Sequence, residues 1–427
     1  MGAVKGGESA CVKIEDNSTP VVVLVSSQSG GLGLIRSLGA LGIPVYGVHE
    51  SRWEPAAQSR FLRRVFCWNF LRASARDSLL FLSDVAQQIG IETKPILIAT
   101  SDVTALFVAE NIDVLEEQYL TATPPINVSR VFSSKKATAD LCQKLDIPSP
   151  DTALPASREE ALQFSRTTKF PSIVKGECGE FLRRRGQLVR VAIVANEKEL
   201  LEIYDLNASA PVPHLVFQEF IPGGDDTVWM FNGYFNARSE CLFGATGQKL
   251  RQFPAHRGST SLGRCARNDA ISSPSMRLMQ AVGYRGPVDF GYRFDARDGR
   301  YKLLDVNPRI GATFRLFTSE SQLDVARVLY LDLTGQGVPY AEVPEGRKWI
   351  VESNDLVSSW THFREGNLRL GAWLRSLRGI HEGVWLTPND LMPLALLPLL
   401  LFRKRAGEER RRCLRPDFPK TTPYPQR

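Results

Sequence analysis

Short unbroken apolar runs and longer stretches of helical period succeed one another through the first part of the chain. Residues 21–25, 44–48 and 95–100 read as buried parallel strands, which carry continuous rather than alternating apolar character. Helical segments at 28–43, 78–89 and 103–111 lie between and after them, and a short apolar run at 119–122 follows. This succession predicts a small doubly wound parallel sheet within residues 20–130. Gly30, Gly31 and Gly33 open the first helix. They suit either a phosphate-binding turn or a tight strand-to-helix packing that binds nothing, and contact with a small substrate is the better of the two binding readings. Ser26, Ser27, His49, Glu50, Ser101 and Asp102 close the strands, as helix caps or as ligand contacts along one rim.

The pattern then changes. A serine-headed amphipathic segment at 133–145 starts with Lys135 and Lys136 and is stopped by Pro148 and Pro150. Lys175 ends a buried apolar strand, a place where an ammonium needs a partner such as an anionic phosphate. Another apolar strand at 215–221 runs into a Pro-Gly loop, and 228–235 and 240–247 read as paired strands leading to Lys249 and Arg251, which period-2 alternation puts on one face. After a helix at 275–282, two apolar runs at 288–294 and 301–306 flank the turn-rich 295–299, which predicts a hairpin. On its second strand Asp305 and Asn307 share a face, with Arg309 two residues further on, and Asp289 meets the pair across the ladder in the right register. Three hard oxygen ligands beside a guanidinium suit Mg²⁺ held together with phosphate oxygens. The alternative is an ordinary strand ending in a turn, since Asp-Gly and Asn-Pro both punctuate loops.

A chain of 427 residues is too long for one ordinary core and predicts two or three domains. With 43% apolar and 23% charged residues it has the composition of a soluble globular protein. The net charge of +7 comes from 53 basic against 46 acidic residues, and much of the excess sits in Arg403–Arg405 and Arg410–Arg412, so charge gives no support to nucleic-acid binding. Seven widely spaced cysteines without a C-x-x-C pair predict reduced thiols in a cytoplasmic protein. Residues 1–19 are polar, read as disordered and lack a secretion signal, and Gly6 stands where myristoylation wants Ser or Thr. A helix at 321–333 closes the core. Residues 336–390, with four tryptophans, read as a small accessory region. The tail at 391–427 is apolar to 402 and basic after it. Its apolar stretch is too short to span a bilayer, so it is either a peripheral contact at an anionic inner membrane face or a docking segment or oligomer contact, such as a homodimer's.

Taken in order, the motifs at Lys135, Lys175, 219–226, Lys249, Asp289 and 305–309 resemble the ATP-grasp superfamily over residues 133–319, and among its branches the carboxylate-amine ligases that are D-aspartate ligase-like. The resemblance implies an α/β (α+β) ATP-grasp fold at 131–335 behind the N-terminal parallel-sheet domain at 20–130. It implies ATP with Mg²⁺, or Mn²⁺, as cofactors. Lys135, with Lys136 as the alternative, and Lys175 would hold phosphates. Glu219 would take the ribose, Phe220 and Ile221 would meet adenine through their backbone, and Asp226 would add a polar contact. Asp289, Asp305 and Asn307 would hold the metal, while Lys249, Arg251 and Arg309 would face the γ-phosphate and the substrate carboxylate. Two departures stand out: the lid at 177–186 carries Arg183, Arg184 and Arg185 in place of a Gly- and Ser-rich loop, and Asp305 is shorter than the usual Glu. The implied reaction activates a small-molecule carboxylate as an acyl phosphate, which an amine then attacks. An ATP-grasp carboxylase or formate-using enzyme, and a nucleotide-binding protein without turnover at a membrane surface, are the other readings.

Overall fold

The computed structural model describes residues 12–25, 28–90, 93–176, 182–184, 187–189, 191–207 and 215–398. They fall into two compact units, one drawn from Met1–Thr152 and Ile221–Pro393, the other from Ala153–Phe220 and Leu394–Arg427.

In the first unit, strands β1 (Val21–Leu24), β2 (Val45–His49), β3 (Leu62–Cys67) and β4 (Ile96–Ala99) form a parallel sheet in the order β3-β2-β1-β4. All four residues of the central β1 are fully buried, which is why the run has no polar position. Burying each such side chain contributes roughly 1.5–3 kcal/mol. The edge strand β3 is absent from the sequence reading because Arg63 and Arg64 break its apolar pattern, and an edge strand tolerates them. The run at 119–122 contributes one isolated bridge, between Ile96 and Leu120. Helix Gln28–Gly39 explains its glycines by packing: a Cβ at Gly31 would stand 2.6 Å from Val25, and one at Gly33 would stand 2.9 Å from Arg315. Among the strand-closing residues, Ser101 is a helix cap, accepting from the Thr104 backbone, while the Asp102 carboxylate pairs with Arg309, and Ser26 and Ser27 lie outside the described residues.

The same unit carries a seven-stranded sheet. Its strands are β8 (Val228–Phe235), β9 (Cys241–Phe253), β10 (Ser259–Cys265), β11 (Gly286–Asp295), β12 (Arg300–Asn307), β13 (Lys348–Ile350) and β14 (Ile380–Gly383), in the order β12-β11-β8-β9-β10-β13-β14. Every pairing is antiparallel except that of β13 with β14. Helix Asp269–Ala281 and helix Ile126–Ser133 supply Ile271, Leu278, Met279, Val128 and Phe132 to a core with Phe231, Phe290 and Tyr292. Within residues 336–390, expected as an accessory region, Lys348–Ile350 and Ile380–Gly383 are strands of this sheet. Trp349 and Trp385 are buried, whereas Trp360 is exposed. Helix Val325–Leu333 begins later than the apolar pattern suggests because Asp324 caps it, accepting from the backbone of Ala326 and Arg327.

In the second unit β5 (Ser172–Gly176), β6 (Val191–Val194) and β7 (Leu215–Glu219) pair antiparallel in the order β7-β5-β6. Helices Arg158–Thr167 and Glu197–Asn207 back them around Phe164, Val174, Leu200 and Phe217. Leu182–Arg184 and Gln187–Val189 pair as a short hairpin. The remaining lid residues, Arg185 included, lie outside the described residues, as does the tail beyond 398, and with them the roles expected of each. No helix among the described residues is long and apolar enough to cross a membrane.

Candidate active site

The register of three neighbouring strands builds the site. Asn232 on β8 lies opposite Asp289 on β11, and Asp289 lies opposite Asn307 on β12. Directly opposed residues point to the same face, so the three side chains form a row across the sheet. Two positions back along β12, Asp305 pairs with Gly291, whose lack of a side chain leaves the carboxylate open room. The row is therefore two carboxylates and two amides, all oxygen donors. Asn232 is buried, and its side-chain oxygen receives no hydrogen bond within the protein. Such a buried, unsatisfied acceptor is costly unless a cation or donor meets it, and hard oxygen donors of this kind fit Mg²⁺ or Mn²⁺. Gly311 passes directly over the row, since a Cβ there would stand 2.6 Å from the Asp289 carboxyl carbon.

Three cations surround these carboxylates. Lys135, the first residue of a helix capped by Ser134, reaches Asp305. Lys249 donates to the Gly258 carbonyl at 3.1 Å, and burial lowers its ammonium's pKa against the opposing pull of Asp289, Asp305 and Asp225. Arg309 acts electrostatically on Asp289 and forms an ion pair of 2.8 Å with Asp102, at the carboxyl end of β4. Lys136 is turned along its own helix to Asp140. Burial pushes the Asp289 carboxyl up to about 6, with Arg309 and Lys249 opposing and Asp305 adding to it. With Asp102 counted, three cations face three carboxylates, so the charges nearly balance and an anion would arrive together with its own divalent ions.

Two further expected residues lie on the linker that opens the first unit's second segment. The Ile221 carbonyl accepts from Arg293 at 3.1 Å, and the same guanidinium donates to the carbonyls of Gly223 and Gly224 at 3.3 and 3.4 Å. Asp226 is exposed, and its carbonyl accepts from Gln248 at 2.6 Å. In the second unit, Lys175 donates to Gln218 at 3.0 Å across β5 and β7, Glu219 is buried at the end of β7, and Phe220 follows it.

Arg251 departs from expectation. The pairing of β9 with β10 shifts between Lys249 and Arg251, so the period-2 alternation that would align the two is broken. Arg251 is instead buried in a two-pronged ion pair with Asp355, at 2.8 and 2.9 Å, and also donates to Ser376 at 2.8 Å. The structure does not bring it to the carboxylate row. Asn232, Gly311 and Arg293 were missed by sequence reasoning. Asn232 sits in a strand with no motif around it, and only its register reveals it.

No family model matches the chain. The fold is that of the ATP-grasp proteins. Over 252 residues it is 24% identical to D-aspartate ligase of Enterococcus faecium, a match that spans 56% of this chain and 58% of that enzyme, less than two thirds of its length. Among solved structures, N5-carboxyaminoimidazole synthetase from Staphylococcus aureus superposes with a TM-score of 0.59 at 12% identity, covering 83% of this chain and 88% of that one. L-amino acid ligase from Bacillus licheniformis does so at 0.54 and 12%, covering 78% of each. The biotin carboxylase domain of Hydrogenobacter thermophilus 2-oxoglutarate carboxylase, solved with MgADP, ADP and bicarbonate, does so at 0.57 and 15%, covering 77% of this chain and 73% of that one.

Proposed function

We propose that this chain is an ATP-dependent ligase that joins a small-molecule carboxylate to an amine through an acyl phosphate, releasing ADP and phosphate. The observation that carries this reading is the row of Asn232, Asp289 and Asn307 with Asp305 beside it, ringed by Lys135, Lys249 and Arg309. Phosphoryl transfer asks a protein mainly for positioning and charge neutralisation, and this face offers both. The carboxylates and amides would hold Mg²⁺ or Mn²⁺, which when bound neutralises phosphate oxygens. Lys135 and Lys175 would bind phosphates, and Lys249 and Arg309 would hold the γ-phosphate and the substrate carboxylate in line. Glu219 would accept from the ribose hydroxyls, the backbone of Phe220 and Ile221 would meet the adenine edge, and Asp226 would add a polar contact. The carboxylate oxygen attacks the γ-phosphorus as the bond to the ADP oxygen breaks; the free-base amine then attacks the acyl carbon, the C–O bond to phosphate breaks, phosphate leaves with the bonding pair, and the nitrogen gives up one proton to water. The names of D-aspartate ligase and L-amino acid ligase support amino acids as substrates. Free thiols at Cys67, Cys142, Cys241 and Cys265 support a cytoplasmic setting.

The test is ADP release by the full chain against pooled amino acids, offered as carboxylate and amine together, with Asp305→Ala and Lys175→Ala as controls. Release that needs both partners, and falls at least about a hundredfold in each variant, supports the ligase. Release with bicarbonate or formate alone replaces it by a carboxylase or formate-using enzyme. ATP binding without release under any pairing replaces it by a binding protein.

A separate prediction concerns the linker. Arg293→Met frees the carbonyls of Ile221, Gly223 and Gly224, so the KM for ATP should rise about tenfold while kcat changes little, as expected when charged hydrogen bonds that only shape a binding loop are lost. Steady-state kinetics with ATP varied at saturating co-substrates measures it.

A further inference from the structure

Away from the carboxylate row, three segments bring metal-binding side chains together. Asp225 opens the short turn Asp225–Thr227, His256 lies in the loop between β9 and β10, and His362 sits in the last turn of helix Glu352–Arg364. One ligand atom from each lies within 4.8 Å of the others. His362 Nε2 is 3.3 Å from Asp225 Oδ2, and His256 Nδ1 is 3.9 Å from Asp225 Oδ1. The two imidazole rings meet edge to face with centroids 4.8 Å apart. A tetrahedral ion bound at the usual zinc distances would span edges of about 3.3–3.6 Å between its ligand atoms, so the triangle is close to the required size.

The surroundings orient these ligands. His256 Nε2 lies 2.7 Å from Glu365 Oε2, and donation of the Nε2 proton to that carboxylate leaves the Nδ1 lone pair toward Asp225. Asp225 accepts from the backbone and side-chain nitrogens of Gln252, both at 3.0 Å, which fixes the carboxylate and leaves each oxygen a further lone pair. Against the effect of burial, His362 and Gln252 hold its carboxyl below the usual range. Ser358 donates to the Gln252 carbonyl at 2.6 Å and so docks the His362 helix onto the same strand. The side chains of Asp225 and His362 are 6% and 12% exposed, but those of His256 and Glu365 are 28% and 35% exposed, so the cluster opens to water on one side. Two neutral imidazoles with two carboxylates carry the charge of one divalent cation in reverse.

We propose that Asp225, His256 and His362 form a transition-metal site, with Glu365 positioning His256, that binds Zn²⁺ or a similar imidazole-preferring divalent ion and ties the linker after Ile221 to helix Glu352–Arg364. This site is separate from the oxygen-only row, whose donors favour Mg²⁺.

The experiment uses the full chain, stripped with chelator and without nucleotide. Zn²⁺ titrated alone should bind with one strong equivalent and raise the melting temperature, and Co²⁺ in its place should give the intense visible band of low-coordinate cobalt. His256→Ala and His362→Ala should each weaken Zn²⁺ binding at least about a hundredfold, and Glu365→Gln about tenfold. Binding as tight as wild type in both histidine variants would assign the metal to the cysteines and overturn the proposal, as would a weak, six-coordinate cobalt spectrum in the wild type. If the alanine variants do not fold, Glu365→Gln decides: loss of about tenfold supports the site, and unchanged affinity overturns it.

Discussion

Asp289→Asn should all but abolish turnover and yet raise the melting temperature of the ligand-free protein near neutral pH. The two effects have one cause. Burial raises this carboxyl from its usual 3.8 to about 6, so the folded state holds the proton more tightly than the unfolded state does. A raised value contributes stability that is fully present below about 4 and lost as the pH climbs to about 6. At pH 7.5 the ligand-free protein carries the full cost of a buried charge, at most about 3 kcal/mol by linkage. Asparagine removes that cost, and a gain of about 2–5 °C should appear by calorimetry at pH 7.5 and fade at pH 4.5. The same substitution takes away a charged oxygen donor from the row shared with Asn232, Asp305 and Asn307, and turnover should fall at least about a hundredfold. In the wild type, Mg²⁺ affinity should fall about tenfold per pH unit below about 6, since the metal competes with the proton. A variant that is less stable at pH 7.5, or retains turnover, would show that Asp289 is a structural carboxylate.

The second large effect concerns stability. Asp355→Ala should cost about 3–5 kcal/mol in urea unfolding, because it strands a buried guanidinium. Arg251 is 5% exposed and Asp355 1%, and the carboxylate also accepts from Ser261 at 3.3 Å and from the Trp373 indole at 3.4 Å. The double change Arg251→Met with Asp355→Leu removes both charges and should lose much less than either single change. It should also leave the KM for ATP unchanged, because Arg251 faces helix Glu352–Arg364 and not the carboxylate row. A double variant that is stable but has lost ATP affinity would return Arg251 to the site that its sequence position suggested.

The contrast between Lys249 and Arg251 shows where sequence reading stops. Alternation along a strand is a local rule, and it correctly puts Asp305 and Asn307 on one face. One shift in pairing between β9 and β10 defeats the same rule at Arg251, and nothing in Lys-Leu-Arg signals it. A comparable shift between Gly291 and Tyr292 leaves Asp305 and Asn307 in phase, because both lie on the same side of it.

By itself the sequence determined what depends on near neighbours along the chain: the continuous apolar β1 strand, the hairpin of β11 and β12, the Ser134-capped helix that starts with Lys135, and the order of motifs that resembles the ATP-grasp proteins. Only the tertiary structure decided which strands are neighbours and in what register. It therefore decided that Asn232 joins Asp289 and Asn307, that Arg251 is committed to Asp355, that residues 348–350 and 380–383 complete the large sheet, and that Asp225, His256 and His362 converge. The reason is physical. Period and capping are set by interactions over a few residues, whereas register is set by the summed burial of whole strands against partners far away in sequence.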